Sequence, residues 1–266
     1  MNKLKLAFSP CPNDTFIFDA MVHHKIDTEG LEFDYRMTDI EELNKMAFSQ
    51  TTDVVKVSFH AYIYLADNYL LLDSGSALGD NVGPLLIAKN KIDTGELQKI
   101  KIAIPGEYTT ANLLLKILFP EVKNTYSMIF SDIEDAVLSG KADAGLIIHE
   151  NRFTYEAKGL QKIADLGELW MKKTGTPIPL GGIIASRKLP DDTIKKLNRI
   201  LKKSVLFAME NPESGMDFIK KHSNEMEEEV IKKHIGLYVN DFTVELGDEG
   251  RKAIDILIRM VGTTSP

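Results

Sequence analysis

The chain has 266 residues, 44% apolar and 27% charged, with a formal net charge of -7. This is the composition of a globular protein with room for one large or two ordinary domains. Acids and bases are mixed, so no broad basic stretch can track nucleic-acid phosphates, and no run approaches the ~18 apolar residues of a membrane span. The single cysteine, Cys11, leaves no intramolecular disulfide. Met1 to Phe8 lacks the apolar core of a signal peptide, so the expected location is cytoplasmic.

Leu4 to Phe8 reads as a strand. Ser9-Pro10-Cys11-Pro12-Asn13-Asp14 turns into a helix, with Asn13 or Asp14 as the expected N-cap and Phe16, Ile17, Ala20 and Met21 at helical spacing. Leu31 to Arg36 alternates like a strand. Thr38 and Glu41 form a capping-box pattern before a helix carrying Leu43, Met46 and Ala47. Val54 to Val57 is a short buried strand ending at Ser58, and Val82 to Ala88 is another.

A second unit starts at the strand Lys101 to Ile104, turned by Pro105-Gly106. A helix over Thr110–Leu118 and a strand over Thr125–Phe130 follow. Ser131 and Glu134 form another capping-box pattern, with a helix to Ser139-Gly140. Asp143 to Ile148 is a strand that ends at His149. Gly181 to Ser186 returns as a strand, the glycines permitting a bend or a close backbone approach. Beyond Pro190 the chain reads as helical, a tail that either packs on the first lobe or forms a dimer surface. The basic stretch Lys195 to Lys203 and the acidic stretch Glu225 to Glu229 read as solvated faces, and Trp170 and Tyr155 as core or as the lining of an apolar ligand site.

Alternating strands and helices imply largely parallel sheets, and ligands bind at the carboxyl ends of such strands. Thr38 to His60 and Ser131 to His149 share one outline: a capped helix, a small-polar break, then a short apolar strand ending in polar groups. Two such units would face their strand ends into a cleft.

The candidate chemistry therefore sits at strand ends. Ser9 to Asp14 is a strand-to-helix turn whose N–H groups suit an anion, or an ordinary helix entry. In the turn from Pro105 to Asn112, the Thr109 and Thr110 hydroxyls and the Thr110 and Ala111 N–H groups suit a carboxylate, or simply cap a helix. The Gly spacing and Lys of a phosphate-binding P-loop are missing. His149 is either a structural histidine or a lone general base near neutral pH. No histidine or cysteine spacing supports a zinc site, and no Gly-x-Ser-x-Gly elbow supports a serine hydrolase.

Five segments occur in order: Ser9-Pro-Cys-Pro-Asn-Asp-Thr-Phe-Ile-Phe, Asp53-Val-Val-Lys-Val-Ser-Phe-His-Ala-Tyr, Gly106-Glu-Tyr-Thr-Thr-Ala-Asn-Leu-Leu-Leu, Gly145-Leu-Ile-Ile-His-Glu and Pro179-Leu-Gly-Gly-Ile. Through them the chain resembles the 1,4-dihydroxy-6-naphthoate synthase family of the futalosine route to menaquinone, over nearly its whole length. The resemblance implies an α/β, two-lobed type II periplasmic-binding-protein-like fold with a central inter-lobe cleft. The lobes are expected at 1–90 plus 183–266 and at 91–182. It implies conversion of cyclic dehypoxanthinylfutalosine to 1,4-dihydroxy-6-naphthoate with His149 as base. It also implies substrate contacts at Asn44, Ser58, Thr110 and Ala111, with Thr109 beside them. The expected partner is a small-molecule carboxylate, with no cofactor, metal, nucleic acid or membrane, and a homodimer stays open. Two rivals share this fold: a solute-binding protein that does no chemistry, and the sister chorismate dehydratase.

Overall fold

Residue parity along the strands decides which layer each side chain joins. The computed structural model describes residues 3–80, 82–223 and 227–264. The chain runs β1 (Leu4–Phe8), α1 (Pro12–Val22), β2 (Phe33–Met37), α2 (Ile40–Phe48), β3 (Val54–Ser58), α3 (Phe59–Leu65), β4 (Tyr69–Leu71) and β5 (Ala77–Gly79). It continues through β6 (Leu85–Ala88), β7 (Ile102–Ile104), α4 (Thr110–Leu118), β8 (Thr125–Ser127), α5 (Ile133–Leu138), β9 (Ala144–Ile147), α6 (Asn151–Thr154), β10 (Gln161–Asp165) and α7 (Leu166–Thr174). The strand β11 (Ile178–Ser186) then leads to α8 (Asp191–Glu210), α9 (Met216–His222), α10 (Glu228–Tyr238), α11 (Asp241–Val244) and α12 (Gly247–Thr264).

The first sheet has the order β2-β1-β3-β11-β4, with β5 also paired to β11. Leu6, Phe8, Val54, Ile183 and Ala185 face one layer with α1 and α8. Their strand neighbours Ala7, Val55, Val57 and Ile184 face the opposite layer with Leu43 and Ala47 of α2. The second sheet has the order β10-β6-β9-β7-β8. Leu86, Ala88, Ile102, Ile104, Ala144 and Leu146 pack toward α4, α7 and α12, while Leu85, Ile87, Ala103 and Ile147 pack toward α5.

Both sheets are mixed rather than largely parallel. The strands β2, β1 and β3 run parallel, as do β8, β7 and β9. However, β11 is antiparallel to β3, β4 and β5, and β6 is antiparallel to β9 and β10. These are the strands by which the chain arrives from the other lobe. They are not the return limb of a strand-helix-strand unit, so nothing forces them parallel. They also move the lobe limits. The β6 strand lies in the second sheet, although residues up to 90 were expected in the first lobe. All of β11 lies in the first sheet, although residues up to 182 were expected in the second.

Three helix starts differ from expectation. Cys11 is the N-cap of α1, with Pro12 in the first turn, so Asn13 and Asp14 lie inside the helix. Asp39, not Thr38, caps α2, accepting from the Glu41 and Glu42 N–H groups, because the Thr38 N–H is tied to the Phe8 carbonyl at the end of β1. Asp132 precedes α5 with no side-chain cap, and the Ser131 hydroxyl bonds Asp132 instead. The strand at 125 stops at Ser127 and a 3-10 turn covers Phe130–Asp132.

The helical tail packs on the first lobe: α8, α9 and α10 lie against α1, and α12 bridges to β11 and α4. Trp170 is fully buried, with its indole N–H donating to the Pro177 carbonyl, and Tyr155 joins the α5 layer. Among the acidic residues from 225 to 229, Glu227 and Glu229 are exposed and Glu228 is half-buried, whereas Glu225 and Met226 lie outside the described residues. Among the described residues, no helix is long and apolar enough to cross a membrane.

Candidate active site

A cavity of about 630 Å³ lies between the two sheets, lined from both lobes. The first lobe contributes Ser9, Asn13, Asp14, Lys56, Ser58 and Gly181, and the second contributes Thr109, Thr110, Ala111 and His149. Tyr238, the last residue of α10, also reaches it.

His149 follows β9 directly, in left-handed backbone conformation with φ 57°. Histidine tolerates this region better than most side chains. The turn ends the strand and directs the ring into the cleft. Phe130 meets the ring edge-on at 4.9 Å and His234 lies parallel at 6.2 Å. Desolvation among these groups lowers the His149 pKa to about 4, opposed by the Asp14 charge. The imidazole is therefore neutral near pH 7 and free to accept a proton. His149 lines the inter-lobe cavity rather than lying sealed within one lobe.

Ser58 ends β3 opposite Gly181 of β11. Its N–H donates to Asn44 Oδ1 at 3.0 Å, and its Oγ accepts from Asn44 Nδ2 at 3.3 Å. The Ser58 hydroxyl makes no capping bond to α3, so its proton can be donated into the cleft. Asn44 is fully buried behind Ser58 and does not line the cavity. Gly181 permits this register because a Cβ there would stand 2.7 Å from the Val57 carbonyl oxygen.

The turn before α4 brings Thr109, Thr110 and Ala111 together as expected, but both hydroxyls are engaged elsewhere. Thr109 Oγ1 donates to the Gly106 carbonyl at 2.8 Å and accepts from the Asn112 N–H at 3.3 Å. Thr110 Oγ1 donates to the Leu180 carbonyl at 2.6 Å and accepts from the His60 N–H at 3.3 Å, stitching the lobes together. The Thr110 and Ala111 N–H groups remain the natural anion donors, since helix geometry gives them no internal acceptor.

The floor of the cleft is a buried ion pair. Lys56 Nζ stands 3.1 Å from Asp14 Oδ1 and donates to the Gly75 carbonyl at 2.9 Å. Asp14 also accepts from the Ser9 hydroxyl at 2.7 Å and from Asn13 Nδ2 at 2.9 Å. Asn13 Oδ1 in turn accepts from His234 Nε2 at 2.9 Å. Cys11 is buried beside this chain and is not among the lining residues; burial raises its thiol pKa well above 9.0. Lys56, Tyr238 and His234 were not singled out from the sequence. Lys56 did carry a signal, as a charge alone inside the apolar run Val54 to Val57. Nothing local marks His234 or Tyr238, which reach the site only because α10 folds back against α1.

Comparison with known proteins gives a consistent picture. A family model described as menaquinone biosynthesis matches residues 4–263. A Thermus thermophilus protein named 1,4-dihydroxy-6-naphtoate synthase is 40% identical, over 96% of this chain and 92% of that protein. A Streptomyces coelicolor protein of the same name is 42% identical, over 94% of this chain and 90% of that protein. A crystal structure of an Archaeoglobus fulgidus protein superposes with TM-score 0.93 at 38% identity, covering 98% and 97% of the two chains. A Candida albicans protein described as having the generic periplasmic binding protein fold superposes with TM-score 0.72 at 15% identity, covering 99% and 91%. That likeness shows the fold, two α/β lobes around a cleft.

Proposed function

This chain belongs to the menaquinone biosynthesis family, an enzyme family by the names of its relatives, and we propose that it is itself a 1,4-dihydroxy-6-naphthoate synthase acting on cyclic dehypoxanthinylfutalosine. The observation that carries this reading is the placement of His149, at the end of β9, in the lining of the inter-lobe cavity. In this reading the substrate carboxylate lies against the Thr110 and Ala111 N–H groups at the start of α4 and accepts a hydrogen bond from the Ser58 hydroxyl. Asn44 holds Ser58 at both ends and Thr109 holds the turn, so both act through their neighbours rather than on the substrate.

His149 takes a proton from a hydroxyl of the sugar-derived ring. The electron pair left on oxygen forms a carbonyl as the adjacent carbon–carbon bond breaks in a retro-aldol sense. The pair from that bond passes into the conjugated carbonyl of the naphthoate-forming part as an enolate, protonated His149 returns its proton to it, and aromatisation drives release of the sugar-derived fragment. A positioned base of this kind contributes ~10²–10⁴-fold to rate, and fixing the hydroxyl against it contributes further. The chemistry is a lyase reaction. The test is to incubate the purified protein with cyclic dehypoxanthinylfutalosine and follow dihydroxynaphthoate absorbance. Formation of the naphthoate is expected. Tight binding without turnover would instead make the protein a binder, and turnover only of a chorismate-type substrate would make it a dehydratase.

A further inference from the structure

Glu41 lies in the first turn of α2, in the first lobe, and is 9% exposed. Its carboxylate reaches across to the second lobe. There Oε1 accepts from the Glu107 N–H at 2.8 Å, and both oxygens accept from the Tyr108 N–H at 3.2 Å. Oε2 also accepts from Asn44 Nδ2 at 3.2 Å, the same amide group that holds Ser58. Glu107 and Tyr108 lie in the loop that sets Thr109 as cap of α4, whose first residues Thr110 and Ala111 line the cavity. One carboxylate thus ties a contact from each lobe to the other. The loop is shaped for it: Gly106 has φ 151°, and a Cβ there would stand 2.5 Å from Glu41 Oε2.

We propose that Glu41 is a positioning residue for the reaction, the latch that holds the lobes closed and keeps Ser58 and the α4 N-terminus in register around the substrate. The proposal rests on the cleft being the substrate site. The bonds from Glu41 to the loop exist only when the lobes are together, because the donors and the acceptor belong to different lobes. A carboxylate accepting from N–H groups makes charge-assisted bonds, stronger than those of a neutral amide. Glutamine keeps the size of the side chain but presents an NH2 group to two converging donors. The competent closed state then becomes less populated, and apparent affinity falls in proportion to that population.

The experiment compares wild type, Glu41→Gln and Gly106→Ala. In Glu41→Gln, KM rises roughly 10- to 100-fold, the scale of one lost charge-assisted bond, while kcat changes less than about threefold because saturating substrate still closes the lobes. Gly106→Ala displaces the same contact from the other side. It raises KM similarly, and the double variant is no worse than the stronger single one. Spin labels on cysteines introduced by Ser49→Cys and Lys123→Cys, exposed positions on opposite lobes, report the inter-lobe distance directly. Glu41→Gln broadens that distribution in the absence of substrate. An unchanged distribution, or a KM within twofold of wild type, overturns the latch. A fall in kcat at unchanged KM overturns it too. If wild type does not turn over the naphthoate precursor at all, the reading of the cleft has failed, and the label distances alone decide whether Glu41 closes the lobes.

Discussion

The most discriminating prediction concerns the pH at which His149 stops working. Its pKa is held down at about 4 by desolvation, whereas an ordinary imidazole titrates near 6.5. In the proposed mechanism His149 acts in its neutral form, so activity should be complete well above the free-enzyme pKa and be lost as pH falls through it. At about pH 5.5 a group with pKa 4 is ~97% neutral, whereas one with pKa 6.5 is only ~9% neutral. The ratio of kcat/KM at about pH 5.5 to that at about pH 8 is therefore expected near 1 rather than near 0.1. The assay is initial-rate naphthoate formation across that range, with circular dichroism confirming the fold at each pH. His149→Asn completes the test. Asparagine also tolerates the left-handed backbone at this position, so the fold survives while the base is gone. Turnover should drop ~10²–10⁴-fold, about 3–5 kcal/mol of barrier, with binding retained. A tenfold loss by pH 5.5 would show that the ring is not desolvated. Near-normal turnover in the Asn variant would refute the base itself.

Asn44→Ala leaves the Ser58 N–H without its acceptor; it should cost about 1–3 kcal/mol in urea unfolding and raise KM more than it lowers kcat. Lys56→Met strands Asp14 as a buried charge and should cost about 3–5 kcal/mol, most of which returns when Asp14→Asn is added; equal stability of the single and double variants would show that the pair is not coupled. Acid stability should fall early. His60 and His149 are depressed to about 4 by burial and His234 lies well below 6.5, so between about pH 6.5 and 4 the unfolded chain binds protons that the folded chain does not. Stability then declines by up to about 1.4 kcal/mol per pH unit for each histidine. Denaturant midpoints measured at several pH values check this, and a flat profile over that window would contradict it.

Local pattern alone was enough for the elements with clear periodicity. Leu4 to Phe8 and Thr110 to Leu118 were legible to the residue, because strand alternation and a capped apolar helix are properties of consecutive side chains. The short elements α3, β4 and β5 escaped, since runs of 3 to 7 residues are too brief to show a period. Strand direction was also hidden: β6 and β11 run antiparallel because they carry the chain between lobes, which no window of sequence records. The positions of Ser58, Thr110, Ala111 and His149 on the cleft were anticipated, as each follows from a strand or helix end. What each group is free to do depended on tertiary contacts. Asn44 turned out to stand behind Ser58, and the Thr109 and Thr110 hydroxyls to be spent on Gly106 and Leu180.

The sequence by itself determined that the chain builds α/β units with polar groups at their strand ends, because hydrophobic period and capping residues act over a few neighbouring positions. Only the tertiary structure decided which of those ends share one cavity, that His149 is neutral there, and that Lys56, His234 and Glu41 join them. Desolvation and hydrogen bonding depend on atoms brought together from residues as far apart as Asn13 and His234.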